Sequence, residues 1–331
     1  DTAKTSWKAA IGSWQKAEFF QFGLQLADNA VVDSRIYSWP LDNACATDLE
    51  VLEKESRGAS YDINFRSATR RGLDPLEYLL YTQSDAAVCT SDFDHAAWEA
   101  RTVPVRQALR CDLAKELAAD VVVQAQSLVD AWSVTGGNYL ATFASASATD
   151  TEVQATLKSI TDGFFYMDKM TKDKKLGELL PVLPQSLSCT DKFCPELIES
   201  VYANESKAHV KANLEGFKTL FEGAGGLGFD DYLIALDQTT LSTDMLNALD
   251  AAIAADADVS SSYSSIVSAA TVDDQEVCVN STADTDPATV NNVGDLCIQH
   301  SKIKVFTDMM KSSFLLALSI EAPSDAQGDN D

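Results

Sequence analysis

The chain has 331 residues and carries 50 acidic against 25 basic side chains, giving a formal net charge of −25. This charge argues against nucleic acid and against an anionic membrane surface as direct partners, because both are bound through clustered lysine and arginine. A strong negative charge can keep a protein soluble through repulsion between its molecules. It can also create an electrostatic field that concentrates cations near the surface. The length predicts two domains, since a single core rarely grows beyond about 250–300 residues.

The N-terminal part has helical periodicity. Four substantial helices and one short one are predicted there, in chain order: residues 7–22 ending at Gly23, the short helix 46–54, then 73–84, 109–132 and 153–167. Residues 28–48 are expected to be irregular, with Trp39-Pro40 forcing an extended step. The apolar face of the long helix is expected to follow Leu109, Leu113, Leu117 and Val121.

Residues 176–195 contain three prolines and two cysteines and therefore predict a domain boundary. We place it at residue 180, giving an N-terminal bundle of residues 1–180 and a C-terminal bundle of residues 181–331. Helices are expected beyond it at 196–221, 230–255 in two pieces, 260–270 and 287–319. No useful alternation of β type occurs, so the fold class predicted is all-α, with two four-helix-bundle-like halves.

A weak internal repeat suggests duplication of the fold. Gly72-Leu73-Asp74 before Tyr78-Leu79-Leu80 is echoed by Gly228-Phe229-Asp230 before Tyr232-Leu233-Ile234. Two unrelated helix starts would explain the same pattern.

The seven cysteines predict disulfides and hence a periplasmic or extracellular protein. Their spacing does not fix the connectivity. They fall into three groups that flank loops and one odd residue: Cys189 with Cys194, Cys278 with Cys297, Cys89 with Cys111, and Cys45 left over. Zinc is disfavoured, because no C-x-x-C pair occurs and only three histidines are scattered along the chain. No stretch of roughly 18 apolar residues is present, so no transmembrane helix is expected.

Gly72-Leu73-Asp74-Pro75-Leu76-Glu77 is the most informative motif, because Asp74 and Glu77 would share one face of a helical first turn. One interpretation is structural: Asp74 as N-cap, Pro75 at N1 and Glu77 at N3, a capping box. The other is functional, with the two carboxylates holding a hard cation or sharing a proton. Two carboxylates are too few for a metal cage, so further ligands would have to come from elsewhere.

Candidate helpers of this motif lie in the irregular segment before it. Arg35 could bind an anionic ligand or pair with Glu77, and a plain surface ion pair is its alternative. Trp39 is either a ligand platform or part of the core. Arg71 beside the motif and the distant His209 are expected in solvent. His95 and Glu99 are four residues apart, so they could share one helix face and bind a metal. An exposed contact between the two side chains is the alternative. No catalytic template is present, so no catalytic residue is predicted.

Four segments together resemble the imelysin-like family of exported bacterial proteins. They are Trp7 through Phe22-Gly23 with Arg35-Ile36 and Trp39-Pro40; Gly72-Leu73-Asp74-Pro75-Leu76-Glu77-Tyr78-Leu79-Leu80; Asn213-Leu214-Glu215-Gly216-Phe217 with the glycines of 223–228; and Leu316 through Asp325 to Gly328-Asp329. The resemblance implies two related helical bundles with a site near the domain junction. It also implies export to the periplasm or outer surface, often as a lipoprotein, and a link to iron uptake.

The family is named for a peptidase and has the signature G-x-H-x-x-E. Gly72 and Glu77 match it, and Asp74 stands where the histidine would be. That replacement removes a neutral nitrogen ligand and the natural general base, which argues against peptidase activity and a metal site of the family type. A carboxylate pair still suits a hard ion such as ferric iron.

The sequence thus predicts an exported protein associated with bacterial iron uptake that binds a metal ion, or a metal-bearing or small ligand, near the domain junction without catalysis. Asp74 and Glu77 are the predicted metal ligands, for iron or another divalent or trivalent cation. Arg35, Trp39 and Gly72 are the predicted ligand-binding residues. Partners would be other iron-uptake proteins of the cell envelope, with membrane contact only through a lipid anchor before Asp1. The alternatives are an imelysin-type metallopeptidase and a cell-surface interaction protein whose motif is purely structural.

Overall fold

A computed structural model describes residues 1–20, 31–41, 43–90, 93–141, 149–183 and 191–323. Every regular element in these ranges is helical, which confirms the all-α prediction. None of the described helices is both long and apolar enough to cross a membrane. Gly23, Cys189 and the tail beyond 323, on which sequence predictions were made, lie outside the described residues.

The chain divides into two compact units. Unit 1 comprises Asp1–Ile11 and Gly23–Ser147, and unit 2 comprises Gly12–Phe22 and Ala148–Asp331. The predicted boundary at residue 180 differs from this division. Residues between 148 and 180 group with unit 2 because Phe164 and its neighbours are part of the hydrophobic core of that unit.

The helices of unit 1 whose full bounds lie within the described ranges are the first part of α1 Thr2–Ala17, then α2 Val31–Ile36, α3 Ala44–Arg57, α4 Leu73–Tyr81, α5 His95–Glu99 and α6 Val103–Trp132. The buried stripe of α6 combines Leu113 and Leu117 with Arg110, Asp120 and Gln124. The spacing of three and four residues is the expected one for a helix face. The spacing did not predict its polar members, because a buried polar side chain needs a hydrogen-bonding partner that the helical pattern does not specify.

The described part of unit 2 contains the end of α1 and these α-helices: α7 Asp150–Phe164, α8 Ser206–Phe221, α9 Phe229–Ala235, α10 Thr239–Ala254, α11 Tyr263–Ala269, α12 Val272–Asn280, α13 Asn292–Met309 and α14 Leu315–Leu318. Helix α13 runs through the centre, and it is buried on all sides from Val293 to His300. Phenylalanine rings fill the space around it; Phe217, for example, meets Phe306 edge-on at a centroid distance of 5.0 Å.

Two π-helical segments of unit 2, Met167–Lys174 and Met310–Phe314, share a buried carboxylate. Asp168 lies 3.1 Å from the Lys172 ammonium and 3.4 Å from that of Lys311. Burial of Asp168 is tolerated because these two cations compensate its charge.

The disulfides correct part of the cysteine prediction. Cys45 pairs with Cys89, across a Cα–Cα distance of 4.5 Å, and Cys111 is free and exposed. The prediction that Cys45 is left over was therefore wrong: Cys111 follows the buried Arg110 on α6 and faces away from the unit interior. Cys278 pairs with Cys297, the two cysteines that were grouped because they flank one loop, and Cys194 is also disulfide-bonded.

Candidate functional site

Gly72 is the N-cap of α4, the helix that carries the motif. Its φ angle is +96°, a conformation that favours glycine. A Cβ atom at this position would lie 2.6 Å from the Ile36 carbonyl oxygen and 2.9 Å from that of Arg35. The glycine thus lets the end of α2 and the start of α4 approach closely. Two of the predicted site residues, Gly72 and Arg35, are brought together in this way.

Asp74 does not cap its own helix. Helix α4 begins at Leu73, so Gly72 is the N-cap and Asp74 lies inside the first turn. Its buried Oδ2 accepts hydrogen bonds from the Ser38 N–H at 2.6 Å and from the Ser38 hydroxyl at 3.1 Å. The capping-box interpretation of the motif was therefore wrong in register. The carboxylate holds the segment after α2 rather than the helix in which it resides.

The other predicted residues lie around this contact. Glu77 is buried in α4 one turn after Asp74. Trp39 directly follows Ser38, is half-buried, and forms a cis peptide bond with Pro40. Arg35 is half-buried, and no described residue forms an ion pair with it. The geometry thus places the segment carrying Arg35 and Trp39 on the start of α4.

The side chains around the motif offer few ligands for a metal ion. Over the described ranges, no three His, Cys, Asp or Glu side chains are grouped so that they could hold one. One oxygen of Asp74 already accepts two hydrogen bonds from Ser38. A hard cation with six or more oxygen ligands would therefore depend mainly on backbone oxygens and water. This arrangement fits a bare ion poorly.

Arg71, immediately before the motif, is fully buried rather than solvated as expected. Its Nε donates to Asp120 Oδ2 at 2.7 Å, and its Nη2 donates to the other oxygen of the same carboxylate. Gln124 donates to Asp120 at 3.1 Å. The bidentate pair ties the start of α4 to α6.

The far end of α4 is held by a second buried network centred on Asp48. Its carboxylate accepts from the Tyr78 hydroxyl at 2.9 Å, from the Val88 N–H at 2.8 Å and from Arg110 at 3.0 Å. Helix α4 is thus fixed at both ends, so the motif residues have defined positions.

An adjacent face of the motif helix lines an apolar groove of unit 1, with a volume of about 440 Å³. Leu73 and Leu76 form one wall, together with Trp7, and the free Cys111 lies on the α6 side. Helix α4 therefore contacts Ser38 through Asp74 and lines the apolar groove through Leu73 and Leu76.

The repeat seen in the sequence has a structural counterpart. Gly228 is the N-cap of α9 as Gly72 is the N-cap of α4. A Cβ at Gly228 would collide with the Phe221 carbonyl oxygen, as one at Gly72 would with Ile36. Both glycines thus allow a helix start to lie against the backbone of an earlier helical segment.

Unit 2 contains a buried polar cluster that no sequence motif predicted. Lys175 is 2% exposed, and its Nζ lies 2.9 Å from Glu18 Oε2 and 3.2 Å from Glu199 Oε1. Gln15 and Asn213 join it: Gln15 Nε2 donates to Glu199 and Asn213 Nδ2 donates to Glu18, each at 2.9 Å. We call these five residues, with His209, the Lys175 cluster.

His209, expected at the surface, is 1% exposed. Its Nδ1 lies 3.4 Å from Glu199 Oε2. The reason is its place on α8, where His209, Asn213 and Phe217 follow one another at intervals of four and form the inner face. A signal for the cluster existed in the sequence, because Gln15, Glu18 and Asn213 all lie in segments that carry the family resemblance.

One comparison with known proteins identifies the family, and another concerns the fold. The sequence model of the imelysin family matches residues 1–285, and the chain belongs to this family. A crystal structure of an imelysin-like protein from Psychrobacter arcticum 273-4 superposes with a TM-score of 0.54 at 15% identity, covering 97% of this chain and 81% of that one. At this identity the likeness concerns the fold alone. No curated protein matches the chain by sequence. The disulfides fit the exported location typical of the family.

Proposed function

We propose that this protein is an exported, non-enzymatic member of the imelysin family that binds a small or metal-bearing anionic ligand and serves bacterial iron uptake. The observation that carries the proposal is the pair of hydrogen bonds from Ser38 to Asp74. They fix the residue between Arg35 and Trp39 against α4. A guanidinium and an indole held in this way are suited to a planar anionic ligand such as a metal–carboxylate complex.

The chemistry of the motif supports binding rather than catalysis. Asp74 replaces the histidine that would serve as general base, and its Oδ2 is engaged by two donors. A metallopeptidase requires at least three protein ligands and a polarised water. The described residues offer no such group. Asp74 and Glu77 would then position the segment that carries Arg35 and Trp39, rather than act as ligands of a bare ion.

Export is supported by the Cys45–Cys89 and Cys278–Cys297 disulfides. We further propose that the partners are other iron-uptake proteins of the cell envelope. A lipid anchor would provide the membrane contact, since the negative charge opposes direct binding to anionic lipid.

Isothermal titration calorimetry with ferric citrate, and separately with Fe²⁺, Zn²⁺ and Ca²⁺, tests the proposal. We expect ferric citrate to bind the wild type, and Arg35→Ala to weaken it by about tenfold or more, equivalent to about 1.4 kcal/mol. Arg101→Ala is the matched control, because Arg101 pairs with Glu55 near the surface of the same unit and donates to the Ala97 carbonyl of its own region of the chain. The affinity of the Arg101→Ala variant for ferric citrate should equal that of the wild type.

The other outcomes select the alternatives. Binding of a bare cation that disappears in Asp74→Asn/Glu77→Gln, with the helical circular dichroism intact, would establish a metal centre instead. Peptide hydrolysis that is lost with chelator would establish the metallopeptidase. If none of these probes binds and no hydrolysis occurs, the motif is structural and the protein acts through protein contacts.

A further inference from the structure

Asp295 is a buried carboxylate that no described side chain compensates. It lies in the first turn of α13 and is 8% exposed. No described residue forms a hydrogen bond or an ion pair with its side chain, and its Oδ1 is shut off from solvent. A buried negative charge without a partner is costly, so this position is expected to take up a cation or a proton.

The segment 255–262, between α10 and α11, lies against this part of α13. Its Ser260 hydroxyl donates to the amide oxygen of Asn292 at 3.1 Å. Asn292 and Asp295 are three residues apart on α13 and therefore share a face of the helix. The hydrogen bond thus brings the segment, with its exposed Asp258, to the helix face that carries Asp295.

The electrostatics of Asp295 agree with this placement. Burial raises the pKa of its carboxyl, and the negative charge of Asp258 raises that pKa further. Lys207 also reaches the segment, but it donates to the Val259 carbonyl oxygen and lies 3.9 Å from Asp256. No described lysine or arginine pairs with Asp258 or Asp295. The two carboxylates therefore repel each other, and no described cation offsets that repulsion.

The groups gathered here suit a hard divalent cation. They are two carboxylates, the Asn292 amide oxygen and the Ser260 hydroxyl, all of them oxygen ligands of the kind that calcium takes in sets of about six to eight. Asp295 differs from Asp74, whose Oδ2 already accepts two hydrogen bonds from Ser38. The described residues add no third acidic or histidine ligand, so water would have to fill the remaining positions and the affinity would be low.

We propose that Asp258 and Asp295 form a low-affinity calcium site that fastens the segment 255–262 to the start of α13, with the Asn292 amide oxygen and water as further ligands. A dissociation constant of about 10⁻⁴–10⁻³ M is expected, as in other extracellular calcium-binding modules. The site lies within unit 2, and it is independent of ligand binding at Arg35 and Trp39 in unit 1.

Calorimetric titration of the full chain with CaCl₂, and separately with MgCl₂ at the same ionic strength, tests the site. Ionic strength is fixed because a net charge of −25 attracts any divalent cation. We expect one saturable calcium site, and magnesium binding that is weaker by about tenfold or more, because magnesium demands stricter octahedral geometry. Non-saturating heats that are equal for the two ions would show a counter-ion atmosphere only and overturn the proposal.

Matched variants locate the ion. Asp295→Asn should weaken calcium binding by about tenfold or more, since it removes a charged ligand, and so should Asp258→Asn, an exposed position that serves if the first variant fails to fold. Asp308→Asn removes the same charge from a surface pair with Lys304 on the same helix and should bind calcium like the wild type. Equal weakening in Asp308→Asn would refute the site.

Hydrogen–deuterium exchange gives a structural readout. Calcium should increase the protection of residues 255–262 in the wild type and leave it unchanged in Asp295→Asn, with α7, Asp150–Phe164, as the internal reference. Calcium binding that persists in Asp74→Asn/Glu77→Gln and is lost in Asp295→Asn would assign the ion to this site. The reverse pattern would assign it to the motif in unit 1 and overturn the proposal.

Discussion

The Asp74 carboxylate and Ser38 are joined by two hydrogen bonds across 36 residues of chain. This contact relates the motif helix to the segment that follows α2. It gives Asp74 a structural role, because one oxygen of its carboxylate accepts hydrogen bonds from a backbone N–H and a hydroxyl of a distant segment.

Removing the acceptor should destabilise unit 1. Asp74→Ala leaves the buried Ser38 N–H without its partner, and we expect a loss of about 2–3 kcal/mol. Ser38→Ala removes only the hydroxyl bond and should cost about 1 kcal/mol. Urea unfolding followed by circular dichroism measures both. Equal losses in the two variants would show that the N–H bond contributes little.

Gly72→Ala should be strongly destabilising, by about 3 kcal/mol, because its positive φ and the Ile36 carbonyl both oppose a Cβ. Gly12→Ala is the matched control. No atom lies within 4 Å of its added Cβ, and its helical position predicts a gain of about 0.5–1 kcal/mol. Thermal unfolding of the two variants should shift in opposite directions. A neutral Gly72→Ala would mean that α2 and α4 can separate at little cost.

The buried pair of Arg71 and Asp120 should matter far more than a surface pair. Arg71→Ala leaves a buried carboxylate uncompensated, and we expect a loss of about 3–5 kcal/mol. Glu55→Ala breaks the surface pair with Arg101 and should cost less than about 1 kcal/mol. The free energy of unfolding in urea distinguishes them. Replacing both Arg71 and Asp120 with apolar residues should recover part of the loss, because no lone charge remains.

The cysteines give a chemical test of the fold. Iodoacetamide should label Cys111 in the native protein and leave Cys45, Cys89, Cys278 and Cys297 unmodified, as read by peptide mass spectrometry. Cys111→Ser should remove this label without changing stability. Cys45→Ala/Cys89→Ala should lower the free energy of unfolding by about 4 kcal/mol, since it opens a loop with a sequence separation of 44. Labelling of Cys45 in place of Cys111 would contradict the pairing.

The helices were predictable where apolar spacing and breakers agree. Residues 230–255 were expected to form two helical pieces, and the break between α9 and α10 lies between Ala235 and Thr239. The long helix α6 and its buried Leu113 and Leu117 were also expected. Such features are local, because periodicity of three to four residues is set by the helix itself.

The sequence by itself indicated the helical fold class through its periodicity, the presence of disulfides through its cysteines, and the family through its motif segments. The tertiary structure alone decided the partners of the polar groups: Asp74 with Ser38, Arg71 with Asp120, and Glu18 with Lys175. The reason is physical. A helical periodicity does not show whether a charged side chain is exposed or buried. That depends on which residue, distant in the sequence, can form a hydrogen bond or an ion pair with it.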